Sequence, residues 1–156
     1  MNQDRYLAAL DACRKHAKRL RWALDSLRPR FPLAPTDLDF LSDKELAIID
    51  QFVLRFSKLQ DAMGARLFTA LLDLLQEPGE LDAFIDQLNR LEKLGAISSA
   101  LLWRKFREMR NQFAHDYPDE PEIQASLLNK GFELAEDLLV SLAEVEAFAE
   151  RYIIER

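Results

Sequence analysis

The chain has 156 residues, 49% of them hydrophobic, and carries 21 Lys/Arg against 27 Asp/Glu for a net charge of −6. That length and apolar content suit a single domain spanning residues 1–156 with a full hydrophobic core, and the acidic balance argues against bulk electrostatic capture of nucleic acid. The lone cysteine, Cys13, excludes an internal disulfide and a cysteine-rich zinc site. No apolar run approaches membrane length, so the expectation is a soluble, cytoplasmic protein with neither signal peptide nor membrane span.

The first predicted helix runs from near Gln3 to Leu27. Tyr6, Leu10, Cys13, Ala17, Leu20, Leu24 and Leu27 alternate steps of four and three, the spacing of a heptad seam. Cys13 reads as core filler. His16 falls off the seam among Arg14, Lys15, Lys18 and Arg19 and is expected to be exposed and solvated. Pro29, Pro32 and Pro35 forbid a continuous helix over residues 28–41 and predict a crossover, tucked against the bundle by Leu38, Phe40 and Leu41.

Ser42 stands three residues before Glu45, the spacing of a capping box, and opens a second helix predicted to continue to about Gln76, some 50 Å if unbroken. Its inward set is Leu46, Ile49, Phe52, Phe56, Leu59, Met63, Leu67, Leu71 and Leu74, and Gly64 permits a close crossing or a bend. After a turn at Pro78 and Gly79, Leu81, Phe84, Ile85, Leu88 and Leu91 predict a short third helix ending at Gly95 in a left-handed cap. Ser98 or Ser99 caps the next helix. Past Pro118 and Pro121, Leu127, Leu128, Phe132, Leu134, Leu138, Leu142, Val145 and Phe148 form the apolar set of a last helix. No strand pattern, internal repeat, glycine-rich phosphate loop or zinc motif is visible.

Charge is uneven along this order. Residues 1–30 hold eight Lys/Arg against three Asp/Glu, a local +5, whereas residues 118–156 hold three against ten, a local −7. An acidic body with one basic zone suits a small RNA footprint, and equally suits solvated helix faces with no partner.

Chemistry beyond what a bundle needs is concentrated between Trp103 and Tyr117, W-R-K-F-R-E-M-R-N-Q-F-A-H-D-Y. Leu102, Phe106, Met109 and Phe113 form its apolar stripe. Arg110 is followed directly by Asn111, with His115 five residues past the arginine and Tyr117 two further on, where Pro118 stops the helix. Unpaired carbonyls at a helix end favour cations, and imidazole is the side chain whose ordinary pKa lies closest to neutrality. On one regular helix, however, His115 lies about 140° around and roughly 7.5 Å along from Arg110. Either the last turn unwinds, or two copies pool their side chains about a two-fold axis.

Arg110, Asn111, His115 and Tyr117 resemble the R-N-x-x-x-H-x-Y form of the HEPN motif, as found in HepT-like toxins paired with minimal nucleotidyltransferase antitoxins. The all-helical order extends the likeness over nearly the whole chain, and Arg55–Gly64 resembles the family's long second helix. The resemblance implies an all-α, up-and-down bundle of four to five helices that forms a homodimer. It implies a metal-independent endoribonuclease of a type VII toxin-antitoxin pair, with no cofactor and with Arg110 and His115 facing each other across the dimer. Tyr117 would be the residue to which the antitoxin attaches AMP.

In such an enzyme the RNA's 2′-hydroxyl attacks the adjacent phosphorus, His115 moves protons, Arg110 holds phosphate oxygens, and Asn111 orients either group. Arg104, Lys105 and Arg107 would track the RNA backbone. Asp116, beside His115, would compete with the RNA phosphate. Each residue also has a purely structural role open to it: Arg110 as an ion-pair partner, Asn111 as a helix-end hydrogen-bonding residue, His115 as a dipole cap, Tyr117 as a half-buried core tyrosine. The corresponding alternative function is a non-catalytic helical module that binds a nucleotide or serves a nucleotidyltransferase as partner.

Overall fold

The structure, a computed structural model, describes residues 1–76, 83–115 and 117–154. The expected turn at Pro78 and Gly79, the contribution of Leu81, and Asp116 lie outside the described residues. Among the described residues the fold is all-helical, with six α segments: α1 (Asn2–Leu27), α2 (Asp43–Ala62), α3 (Phe68–Leu74), α4 (Phe84–Leu94), α5 (Ala100–Phe113) and α6 (Pro121–Ala149). A π-helical turn at Met63–Leu67 joins α2 to α3, so the six segments make five rods. α2 is the hub, packing on α1, α5 and α6, while α4 lies against α3 and α5. Among the described residues no helix is long and apolar enough to cross a membrane.

The heptad seam of α1 is buried as its spacing requires, with Tyr6, Leu10, Cys13, Leu20, Leu24 and Leu27 in the core and Ala17 half-buried. Burial pushes the Cys13 thiol up to about 12, so it is an inert apolar filler. His16 departs from expectation. It is half-buried, and its Nδ1 lies 3.0 Å from Nη1 of Arg55 on α2, a contact invisible to a reading of one helix at a time.

The crossover forms two 3-10 turns, Arg28–Arg30 and Pro35–Phe40. Phe40 does not tuck in; it is 79% exposed. Leu41 packs against the core and Leu38 is half-buried, as expected, and further anchors come earlier, where the chain is extended. Phe31 stacks on Phe132 at 4.5 Å and meets Phe52 edge-on at 6.3 Å, contacts worth about 0.5–1.5 kcal/mol each beyond their buried area. Leu33 is buried, and the Asn129 side chain accepts its N–H at 2.7 Å and donates to its carbonyl at 2.9 Å. With both backbone groups satisfied there, Phe40 at the end of the second turn is left pointing outward.

Ser42 and Glu45 form the capping box reciprocally, at 3.1 and 3.0 Å, and the Ser42 N–H holds the Glu45 carboxyl below the usual range. Leu46, expected inward, is 44% exposed, and Ile48 takes the core position beside Ile49. The long second helix is not regular: its middle widens into the π turn, within which a Cβ on Gly64 would lie 3.3 Å from the Trp103 indole. Trp103 itself is buried against Phe68 at 4.6 Å, so the missing side chain lets α5 approach α2 closely. Gly95 ends α4 at φ +88°, the left-handed cap expected of it. Ser99, rather than Ser98, caps α5 by accepting the Leu102 N–H at 3.0 Å.

Most N-terminal cations face carboxylates of other elements. Arg14 pairs with Glu146, Arg30 with Glu45 at 2.9 Å and Arg5 with Asp73 at 3.5 Å. Glu136 accepts from Arg21 in bidentate form at 2.9 Å and from Arg28 at 2.7 Å, and these two partners hold its carboxyl below the usual range. Three of the eight cations of residues 1–30, Arg14, Arg21 and Arg28, thus clamp the N-terminal segment onto acidic α6.

Candidate functional site at the end of α5

Trp103, Phe106 and Met109 are buried and fix the rotation of α5. That rotation leaves Arg110, one residue past Met109, half-buried on the flank facing α2. Its Nε and Nη2 donate to the two carboxylate oxygens of Asp61, each at 3.1 Å. This fork raises the already high pKa of Arg110 and sets the plane of the guanidinium. Two of its five N–H groups are engaged there, and the others remain for a ligand.

Arg110, Asn111 and Arg107 line an open cleft of about 520 Å3, closed on the far side by Gln60, Asp61 and Gly64 and at one end by Phe84. The Arg107 guanidinium lies 5.9 Å from the centre of the Phe84 ring, within reach of a cation–π attraction. The π turn thus shapes the α2 wall of the cleft.

α5 stops at Phe113, whose ring is held edge-on by Phe52 at 5.8 Å and Phe56 at 5.5 Å. The His115 N–H bonds the Gln112 carbonyl at 3.1 Å, an i to i+3 closure, and the imidazole is exposed. His115 therefore lies beyond the regular helix, and the 140° projection does not describe it; the last turn does break before Pro118. Tyr117 is half-buried, and its carbonyl accepts from the Gln124 side chain of α6.

The cleft gathers Arg107, Arg110 and Asn111 but neither His115 nor Tyr117. Arg104 is exposed elsewhere on α5. Lys105 opens onto a separate hollow of about 250 Å3, facing Glu133 and Asp137 of α6. Glu108 and Lys130 line the same hollow, so Lys105 sits in a mixed-charge setting apart from the α5 cleft.

Asp61 is the residue that reading α5 alone overlooks. It does carry a signal: it is the only carboxylate between Asp50 and Asp73 in an otherwise apolar and basic stretch. Among the described residues no three His, Cys, Asp or Glu side chains gather so as to hold a metal ion. Compared with protein-family models, curated proteins and solved structures, the chain matches none.

Proposed function

We propose that this chain is a HepT-like HEPN toxin, a metal-independent endoribonuclease of a type VII pair, acting in the cytoplasm as a homodimer and neutralised by a minimal nucleotidyltransferase. The observation that carries the reading is the placement of the motif's first two residues. Arg110 and Asn111 face an open cleft, with the guanidinium plane fixed by Asp61 and further N–H groups left over.

A phosphate entering the cleft would meet the free N–H groups of Arg110 and the Arg107 charge. The RNA's 2′-oxygen then forms a bond to the adjacent phosphorus as the P–O5′ bond breaks, leaving a 2′,3′-cyclic phosphate and a 5′-hydroxyl. One proton leaves the attacking hydroxyl and one reaches the departing oxygen; His115 performs one of these transfers, and Arg110 stabilises the charge on the equatorial oxygens. Because His115 is outside the cleft of its own protomer, the complete site draws its imidazole from a second copy. No resident cofactor takes part.

A second reading is favoured by the same ion pair: Arg110 as a strut between α5 and α2 in a non-catalytic module. RNA cleavage by the purified chain, with and without Arg110→Ala, decides between them. As a toxin, the wild type cleaves in the presence of chelator and Arg110→Ala loses about 100-fold or more, while a half-exposed pair contributes only about 0.2–1 kcal/mol to stability. No cleavage by the wild type, with Arg110→Ala and Asp61→Asn equally destabilised, establishes the strut.

A further inference from the structure

A second concavity is larger than the α5 cleft. It is a groove of about 1010 Å3 between α1 and α2, with Lys15, Lys18, Arg19 and Trp22 on one wall and Arg55 on the other. Lys15 is neutralised by Asp11 at 3.3 Å. Among the described residues, Lys18, Arg19, Arg55 and the neighbouring Lys58 have no carboxylate at ion-pair distance. Lys18 and Arg19 are left over from the basic zone of residues 1–30 once its ion pairs are made, and α2 adds Arg55 and Lys58.

Arg55 is the unusual member. It is half-buried, its Nε is shielded from solvent with no hydrogen-bond partner, and its one polar contact is a neutral ring. A guanidinium cannot accept, so His16 Nδ1 must, which places the imidazole proton on Nε2. The burial of the ring and the charges of Arg55 and Lys58 hold His16 below its ordinary pKa, in the neutral form this bond requires. A half-buried cation whose Nε is shielded from water and unpaired carries part of the cost of desolvation with no anion to offset it. Beside it, the Trp22 indole is 55% exposed, an apolar face at the rim of a cationic hollow.

We propose that the α1/α2 groove binds a base-plus-phosphate unit, the base stacked on Trp22 and the phosphate held by Arg55, Lys18 and Arg19. An aromatic platform beside a cationic track is the chemistry that recognises unpaired nucleotides, and a phosphate supplies the anion that Arg55 lacks. The site goes beyond the cleavage reading and does not depend on it. The lining of the groove shares no residue with that of the α5 cleft.

The test is binding by fluorescence anisotropy, using the His115→Ala chain so that RNA stays intact whether or not the wild type cleaves. A labelled single-stranded RNA is the probe, with unlabelled AMP and polyglutamate as competitors. Trp22→Ala is expected to weaken binding about tenfold, and Arg55→Gln and the double variant Lys18→Gln/Arg19→Gln to weaken it by at least as much. Competition by AMP in proportion to its nucleotide content identifies a free nucleotide as the ligand; failure of AMP to compete identifies the polymer. Unchanged affinity in Trp22→Ala, or equal competition by polyglutamate, overturns the proposal. Trp22 is a surface side chain, so its replacement stays decisive even where Arg55→Gln fails to fold.

Discussion

The ring of Phe113 fills the space left by the missing side chain of Gly131: a Cβ at residue 131 would lie 2.3 Å from Phe113 Cζ. The ring cannot easily retreat, since Phe52 and Phe56 meet it edge-on from the other side. Gly131→Ala would gain about 1 kcal/mol of helix propensity within α6, yet overpacking costs about 1–3 kcal/mol. The expected result is net destabilisation and a lower thermal midpoint, accompanied by displacement of the α5 terminus that carries His115. A raised midpoint would show that Phe113 has room to move.

The proposal of an active site shared between two copies makes a quantitative claim. Arg110→Ala and His115→Ala should each be inactive alone. Mixed after dissociation and reassociation, half of the dimers are hybrids, each with one intact Arg110–His115 pair, so about a quarter of wild-type activity returns. Sites confined to single protomers would give none. Since His115 is exposed, His115→Ala should also change stability by no more than about 0.5 kcal/mol.

For Tyr117 the prediction is chemical. The partner nucleotidyltransferase and ATP should add the mass of one adenylyl group to the wild type and none to Tyr117→Phe, read by intact-mass spectrometry. Mass gained by Tyr117→Phe would place the acceptor elsewhere.

His16 predicts a pH dependence with a definite sign. Its folded-state pKa is lowered, so below its ordinary value of 6.5 the unfolded chain takes up the proton first. Its stabilising effect is complete above that value and declines as pH falls through the window beneath it. The depressed carboxyls of Glu45 and Glu136 act lower, below their ordinary 4.5. Urea midpoints at pH 7.5 and 5.5 should therefore differ in the wild type and converge in His16→Gln. Equal midpoints in the wild type would mean that the ring is not held in its half-buried place beside Arg55 and Lys58 in solution.

Apolar spacing makes the helices legible, and local chemistry locates the Ser42–Glu45 box and the Gly95 cap, because each depends on residues within one turn of each other. Contacts between rods are not legible. The 3.6-residue period assigns Arg110 to a shoulder but does not say which helix lies opposite, so it does not find Asp61; the same holds for His16 and Arg55. Phe40 and Leu46 show a related limit: both are apolar and near the right register, but Phe31, Leu33 and Ile48 fill the space. The π turn at Met63–Leu67 interrupts the regular 3.6-residue period that apolar spacing assumes. Of the candidate site, Arg110 and Asn111 share a cleft as their adjacency suggests, while the end of α5 at Phe113 removes His115 from any helical wheel.

The side chain of Gln3 donates to the Ile154 carbonyl at 2.8 Å and accepts its N–H at 2.9 Å, so the first turn of α1 and the segment after α6 meet at one pole of the molecule. Affinity handles or fluorophores appended beyond either residue would emerge side by side, and immobilisation through one or the other would orient the protein alike on a sensor surface.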